Sequence, residues 1–80
     1  MSIITAAQIR SARYAIKMTV SELAKISGIS TSTIKRIEGG ASIPSSTPAN
    51  IAALKTALES AGIEFIGTPD DGPGIRIHAR

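Results

Sequence analysis

The side chains in this sequence best equipped for chemistry are hydrogen-bond donors rather than nucleophiles or metal ligands. Cysteine is absent and His78 is the only histidine, which leaves no thiolate or His-based metal site. Serines, Asp70 and Asp71 accompany His78, but no nucleophile elbow, Gly-rich phosphate loop or second histidine does. No catalytic residue, metal or cofactor is therefore expected. Asp70 and Asp71 favour a turn, and His78 reads as an ordinary strand residue. What remains is a cluster at Thr31, Ser32, Lys35 and Arg36, in which Ser32 and Arg36 stand one helical turn apart. A guanidinium placed there can donate two parallel N–H bonds to a planar pair of acceptors such as O6 and N7 of guanine. Such a contact discriminates by about 1–3 kcal/mol.

Charge supports a polyanionic partner through its distribution. Residues 1–62 carry seven basic groups (Arg10, Arg13, Lys17, Lys25, Lys35, Arg36, Lys55) against Glu22, Glu38 and Glu59. The tail sets Arg76 and Arg80 against Glu64, Asp70 and Asp71, so the net charge of +3 arises in the first part. Eighty residues make one small unit that buries roughly 60 % of its unfolded surface, too little for a deep catalytic cleft. The apolar runs are far below the ~20 residues that cross a bilayer, and no signal-peptide layout is present. A soluble, cytoplasmic protein without disulfides is the expectation, with no membrane partner.

The elements that must position this cluster are written as helix starts. Thr5 with Gln8, and Thr19 with Glu22, are spaced as capping boxes; Ser30 and Thr47 are further N-caps, the latter followed by Pro48. Ile4 and Ile9, Met18 and Leu23, and Ile29 and Ile34 occupy the two positions of a hydrophobic staple at the first three starts. Apolar residues recur at helical spacing behind each start, predicting helices over 6–16, 20–27, 31–38 and 48–61. Gly28 and Gly62 stand where left-handed C-caps close the second and fourth helices, and Gly39-Gly40 closes the third. Residues 42–47 read as a loop. After Gly62 the pattern turns to short β-prone runs, 63–66 and 75–78, separated by eight turn-rich residues, 67–74. That separation exceeds a tight turn and implies either a wide hairpin or two strands with other partners. The expected fold is mainly α, four helices followed by a two-stranded β element, divided into residues 1–62 and a tail, 63–80.

The stretch VSELAKISGISTSTIKRIEG, Val20 to Gly39, puts small and apolar residues where two crossing helices need them. Ala24 lets the next helix approach, Gly28 makes the turn, and Leu23, Ile29, Ile34 and Ile37 fill the angle. On these residues the sequence resembles the phage repressor and Cro family of helix-turn-helix regulators, the XRE family, over roughly residues 5–61. The resemblance implies sequence-specific binding of double-stranded DNA by a transcriptional regulator, as a repressor, with the helix over 31–38 in the major groove. It also implies an ion pair between Arg13 and Glu38 that joins the first and third helices.

Carried over by position, Thr31, Ser32 and Arg36 match residues from which family members touch base edges, with Lys35 beside them. Phosphate contacts are expected from Ser21 and Lys25 on the second helix and from Ser45, Ser46 and Thr47 before the fourth, where helix N-termini offer N–H groups. Two departures weaken that grip: Val20 replaces the glutamine of many members, and 41–47 contains no basic residue. A tail of two strands leaves open edges, so pairing across a twofold axis through Ile63, Phe65, Ile66, Ile75 and Ile77 is expected to make a homodimer. An alternative use of the tail is to hold a toxin, as in antitoxins that also regulate their own operon.

Overall fold

The computed structural model describes residues 4–40 and 47–78. Its elements follow in chain order as α1 (Ala6–Ala15), α2 (Val20–Ser27), α3 (Thr31–Glu38), α4 (Pro48–Ser60), β1 (Ile63–Thr68) and β2 (Asp71–Ile77). The fold is thus mainly helical with a C-terminal two-stranded antiparallel sheet.

Each helix begins where a short polar side chain satisfies its free amides. Thr5 Oγ1 accepts from the Gln8 N–H at 3.0 Å while Gln8 Oε1 accepts from the Thr5 N–H at 2.8 Å. Thr19 and Glu22 repeat the arrangement at 3.0 and 2.8 Å. Ser30 and Thr47 accept from the Thr33 and Asn50 amides. Such caps stabilise a helix by ~1 kcal/mol each. Gly28, with φ 77, ends α2 in the left-handed region. Gly39 ends α3 in a right-handed conformation instead. α1 and α4 stop one residue before their expected ends, at Ala15 and Ser60. The loop expected over 42–47 lies, Thr47 apart, outside the described residues.

α1 closes by a device that the sequence does not mark. The Met18 N–H bonds to the Arg13 carbonyl at 2.9 Å and the Lys17 N–H to that of Tyr14 at 3.0 Å, a Schellman pattern. That pattern places Lys17 in the left-handed region, with φ 56, the only described residue other than glycine to adopt it.

The staple residues Ile4, Ile9, Leu23 and Ile34 join Ala12, Ile37, Leu54, Ala57, Leu58 and Ile63 in one buried cluster. Ile16, Met18, Ala24, Ile29, Phe65 and Ile75 pack around it. Full burial of such an aliphatic side chain contributes about 1.5–3 kcal/mol, so this cluster fixes how the helices cross.

The tail corrects the expected eight-residue separation. β1 and β2 pair with Ile63 opposite Ile77, Phe65 opposite Ile75, Ile66 opposite Gly74 and Thr68 opposite Asp71, leaving only Pro69 and Asp70 at the tip. Residues 67–74 therefore belong largely to the strands. Glycine makes this possible, because Gly67 and Gly72, at φ 76 and 62, absorb an irregularity between Ile66 and Thr68 that a chain with Cβ atoms would resist. α4 packs against β1 and α1 against β2. Ile63 is buried in the core of its own chain, and Phe65 and Ile75 lean on that core. Ile77 shares the register of Ile63 yet is 55 % exposed.

One side chain fastens the hairpin to the helices. The Gln8 amide nitrogen donates to the carbonyls of Ile66 at 3.0 Å and Gly74 at 2.9 Å, which belong to facing residues of the two strands. Gln8 is thus a cap and a tether at once, and all its polar atoms are used while it is buried.

Candidate nucleic-acid interface

The sequence TSTIKRIE builds α3 with two unlike faces. Ile34 and Ile37 are wholly buried, which turns Thr31, Ser32, Lys35 and Arg36 to the exposed side. The Ser30 hydroxyl donates to Thr33 Oγ1 at 2.9 Å and lies 3.4 Å from the Ser32 hydroxyl, so the first turn carries a hydroxyl cluster. Along the helix, hydroxyls at the N-terminal end give way to the cations of Lys35 and Arg36. That order suits hydrogen bonding to polar edges at one end and to anions or paired acceptors at the other.

The opposite end of α3 is anchored to α1. Arg13 Nε and Nη2 each donate to a different oxygen of the Glu38 carboxylate, both at 2.8 Å, in a bidentate fork. Its third nitrogen, Nη1, donates to the Met18 carbonyl at 3.1 Å. The bonds to Glu38 raise the guanidinium above its already high ordinary pKa and outweigh the opposing effect of burial. Arg10, one turn earlier, donates to the Glu38 carbonyl at 2.7 Å. A cation at a helix C-terminus also offsets its dipole. Sequence reasoning missed Arg10, although its spacing of three from Arg13 puts both on one side of α1.

Other candidate residues are exposed but dispersed. Ser21 lies in the first turn of α2 and Lys25 in its last turn. Thr47 is exposed and accepts from the Asn50 N–H as a cap; Ser45 and Ser46 lie outside the described residues. Glu22 matters for the N-terminus of α2. Its carboxylate occupies the Thr19 N–H and adds a negative charge where an anion would dock. Hydrogen bonding to Thr19 holds Glu22 below its ordinary pKa of 4.5. A group depressed in this way stabilises the fold above that pH and stops doing so as the pH falls through its folded value.

The cations divide by their position along the chain. Among the described residues, Arg13 pairs with Glu38, Lys55 with Glu59 at 2.8 Å, and Arg76 with Glu64 at 3.2 Å. Arg10, Lys17, Lys25, Lys35 and Arg36 make no salt bridge there, although Lys25 lies near enough to Glu22 to help hold its carboxylate ionised. All five belong to the segment from α1 to α3. Neutralised cations sit on α4 and the hairpin, apart from the buried Arg13. No group that could hold a metal ion occurs among the described residues, and none of the helices there is long and apolar enough to cross a membrane.

Comparison with curated proteins gives no match. A family model described as helix-turn-helix matches residues 9–53, more than half of the chain, and spans α1 to the first turns of α4. With its four helices and the left-handed Gly28 turn between α2 and α3, the chain belongs to the helix-turn-helix family of the phage repressor and Cro type, the XRE family of DNA-binding transcriptional regulators.

Proposed function

We propose that this protein reads a specific double-stranded DNA sequence with α3 in the major groove and acts as a repressor. The observation that carries this reading is the concentration, from α1 to α3, of cations that form no salt bridge among the described residues, around a helix whose exposed side is wholly polar. In this proposal Thr31, Ser32 and Arg36 contact base edges, Lys35 reaches a base or a phosphate, and Ser21, Lys25 and Thr47 hold the backbone. Fluorescence anisotropy with fragments of its own promoter tests it. Binding is expected to weaken steeply with salt, because each neutralised phosphate releases condensed counterions. Arg36→Ala is expected to cost about 1–3 kcal/mol on the specific site and little on random DNA. No binding at low salt overturns the function, and equal losses on both DNAs overturn the base-reading role of Arg36.

The reading includes a homodimer, in which two copies of α3 meet half-sites about one DNA turn, ~34 Å, apart. With Ile63 buried in its own chain, the hairpin offers Ile77 and the neighbouring strand edge, with Phe65, Ile66 and Ile75 only half-buried around them. Ile77→Lys tests this without disturbing the core. Sedimentation at micromolar concentration is expected to give a dimer for the parent chain and a monomer for the variant. Equal association of the two excludes the hairpin as the contact.

A further inference from the structure

We propose a second DNA-backbone contact, which rests on the reading above: the exposed strip Arg10, Tyr14 and Lys17, with Lys17 as its principal phosphate ligand. Arg10 and Tyr14 stand one turn apart on α1, and Lys17 follows the Ile16 cap that ends that helix. The strip joins the two elements assigned to DNA. At one end the Arg10 guanidinium lies on the last carbonyl of α3, and at the other Lys17 comes two residues before Thr19, the cap of α2.

Three observations converge on it. Neither Arg10 nor Lys17 has a carboxylate partner among the described residues, and α1 itself contains no acid. Tyr14 is 66 % exposed, and its ring packs against the Arg13 guanidinium at 4.5 Å, so an aromatic side chain stands between the two cations. Lys17 breaks a local rule. It occupies the left-handed position that closes a Schellman motif, where glycine fits without strain, and it is the only described residue other than glycine with positive φ. A strained cation at the edge of a binding face points to retention for its charge rather than for the fold. The strip also compensates for two weaknesses of the expected grip: the carboxylate of Glu22 at the start of α2 and the lack of basic residues in 41–47.

Stability and affinity therefore move in opposite directions at residue 17. Lys17→Gly is expected to raise the melting temperature by about 3 to 5 °C, through relief of the left-handed strain. The same change is expected to weaken binding about five- to tenfold near 0.1 M salt, equally on specific and random DNA. The salt slope falls by about 0.9 per bound chain. Lys17→Asn, which tolerates the left-handed region and removes the charge, is expected to give the same loss, whereas Lys17→Arg keeps the affinity. If Lys17→Gly and Lys17→Asn bind like the parent chain while Arg36→Ala loses specificity, the strip is not a DNA contact and the reading of α3 stands. If the parent chain does not bind DNA, both fall.

Discussion

Glu38→Ala is expected to destabilise the fold by about 3–5 kcal/mol, because it leaves the Arg13 guanidinium buried without the carboxylate that neutralises it. Arg13→Ala acts in the same direction by orphaning Glu38, and Arg13 and Glu38 are only 8 % and 6 % exposed. A domain of this size is stable by roughly 4–12 kcal/mol in total, so either change removes a large part of it. Replacing both together, as in Arg13→Met with Glu38→Leu, is expected to cost far less, since no charge is then left unpaired. Denaturant unfolding of the parent, the two single variants and the double variant gives the coupling energy directly. A value near zero contradicts the assignment of the pair as the joint between α1 and α3. The Arg10 bond to the Glu38 carbonyl survives in every variant with residue 38 changed, because it uses the main chain.

The second large effect is expected at the hairpin. A Cβ on Gly67 would overlap the Gly72 carbonyl, coming within 2.6 Å of its carbon, on a backbone already at φ 76. The left-handed region costs a residue with a Cβ about 1–2 kcal/mol, and overpacking against main chain about 1–3 more. Gly67→Ala is therefore expected to lose about 2–5 kcal/mol. Gly72 provides the control, since its φ of 62 carries the same conformational cost but a Cβ there meets nothing within 4 Å. Gly72→Ala is expected to lose only about 1–2 kcal/mol. Thermal unfolding of the two variants separates the terms, and equal losses remove close approach of the strands as the reason for Gly67.

What could be read in advance follows how local the governing interactions are. The first three helix starts were legible because a cap and its staple lie within five residues of one another, as Thr5, Gln8, Ile4 and Ile9 do, and the fourth because Thr47 and Pro48 are adjacent. The end of α1 was not, because a left-handed closure is marked by glycine and here it falls on Lys17. The hairpin was legible as two strands but not as a tight turn. Gly67, Gly72, Gly74, Pro69 and Pro73 read as loop residues, whereas in the fold the first two accommodate an irregular pairing. Ile75 and Ile77 alternate onto one face of β2, yet only Ile75 reaches the core; alternation gives a common face without saying how far the helices extend beneath it. Within the candidate site, the exposed side of α3 followed from the spacing of Ile34 and Ile37. The contact of Arg10 with Glu38 spans 28 residues and depends on how α1 crosses α3, which no local pattern encodes.

Gln8 ties together parts of the chain that would otherwise open independently. Its carbonyl oxygen completes the cap of α1, and its amide reaches strands 58 and 66 residues downstream. If the hairpin swings away, the side chain loses both acceptors and the first turn of α1 loses the partner that orders its cap. Two-stranded sheets are marginal alone, and their free edges invite unwanted pairing between molecules. Linkage through Gln8 merges the hairpin and the start of α1 into one unit of local unfolding, raising the free energy at which the edges separate from the helices. The position of the hairpin, and so of any surface it offers, is thus set by the first helix of the chain.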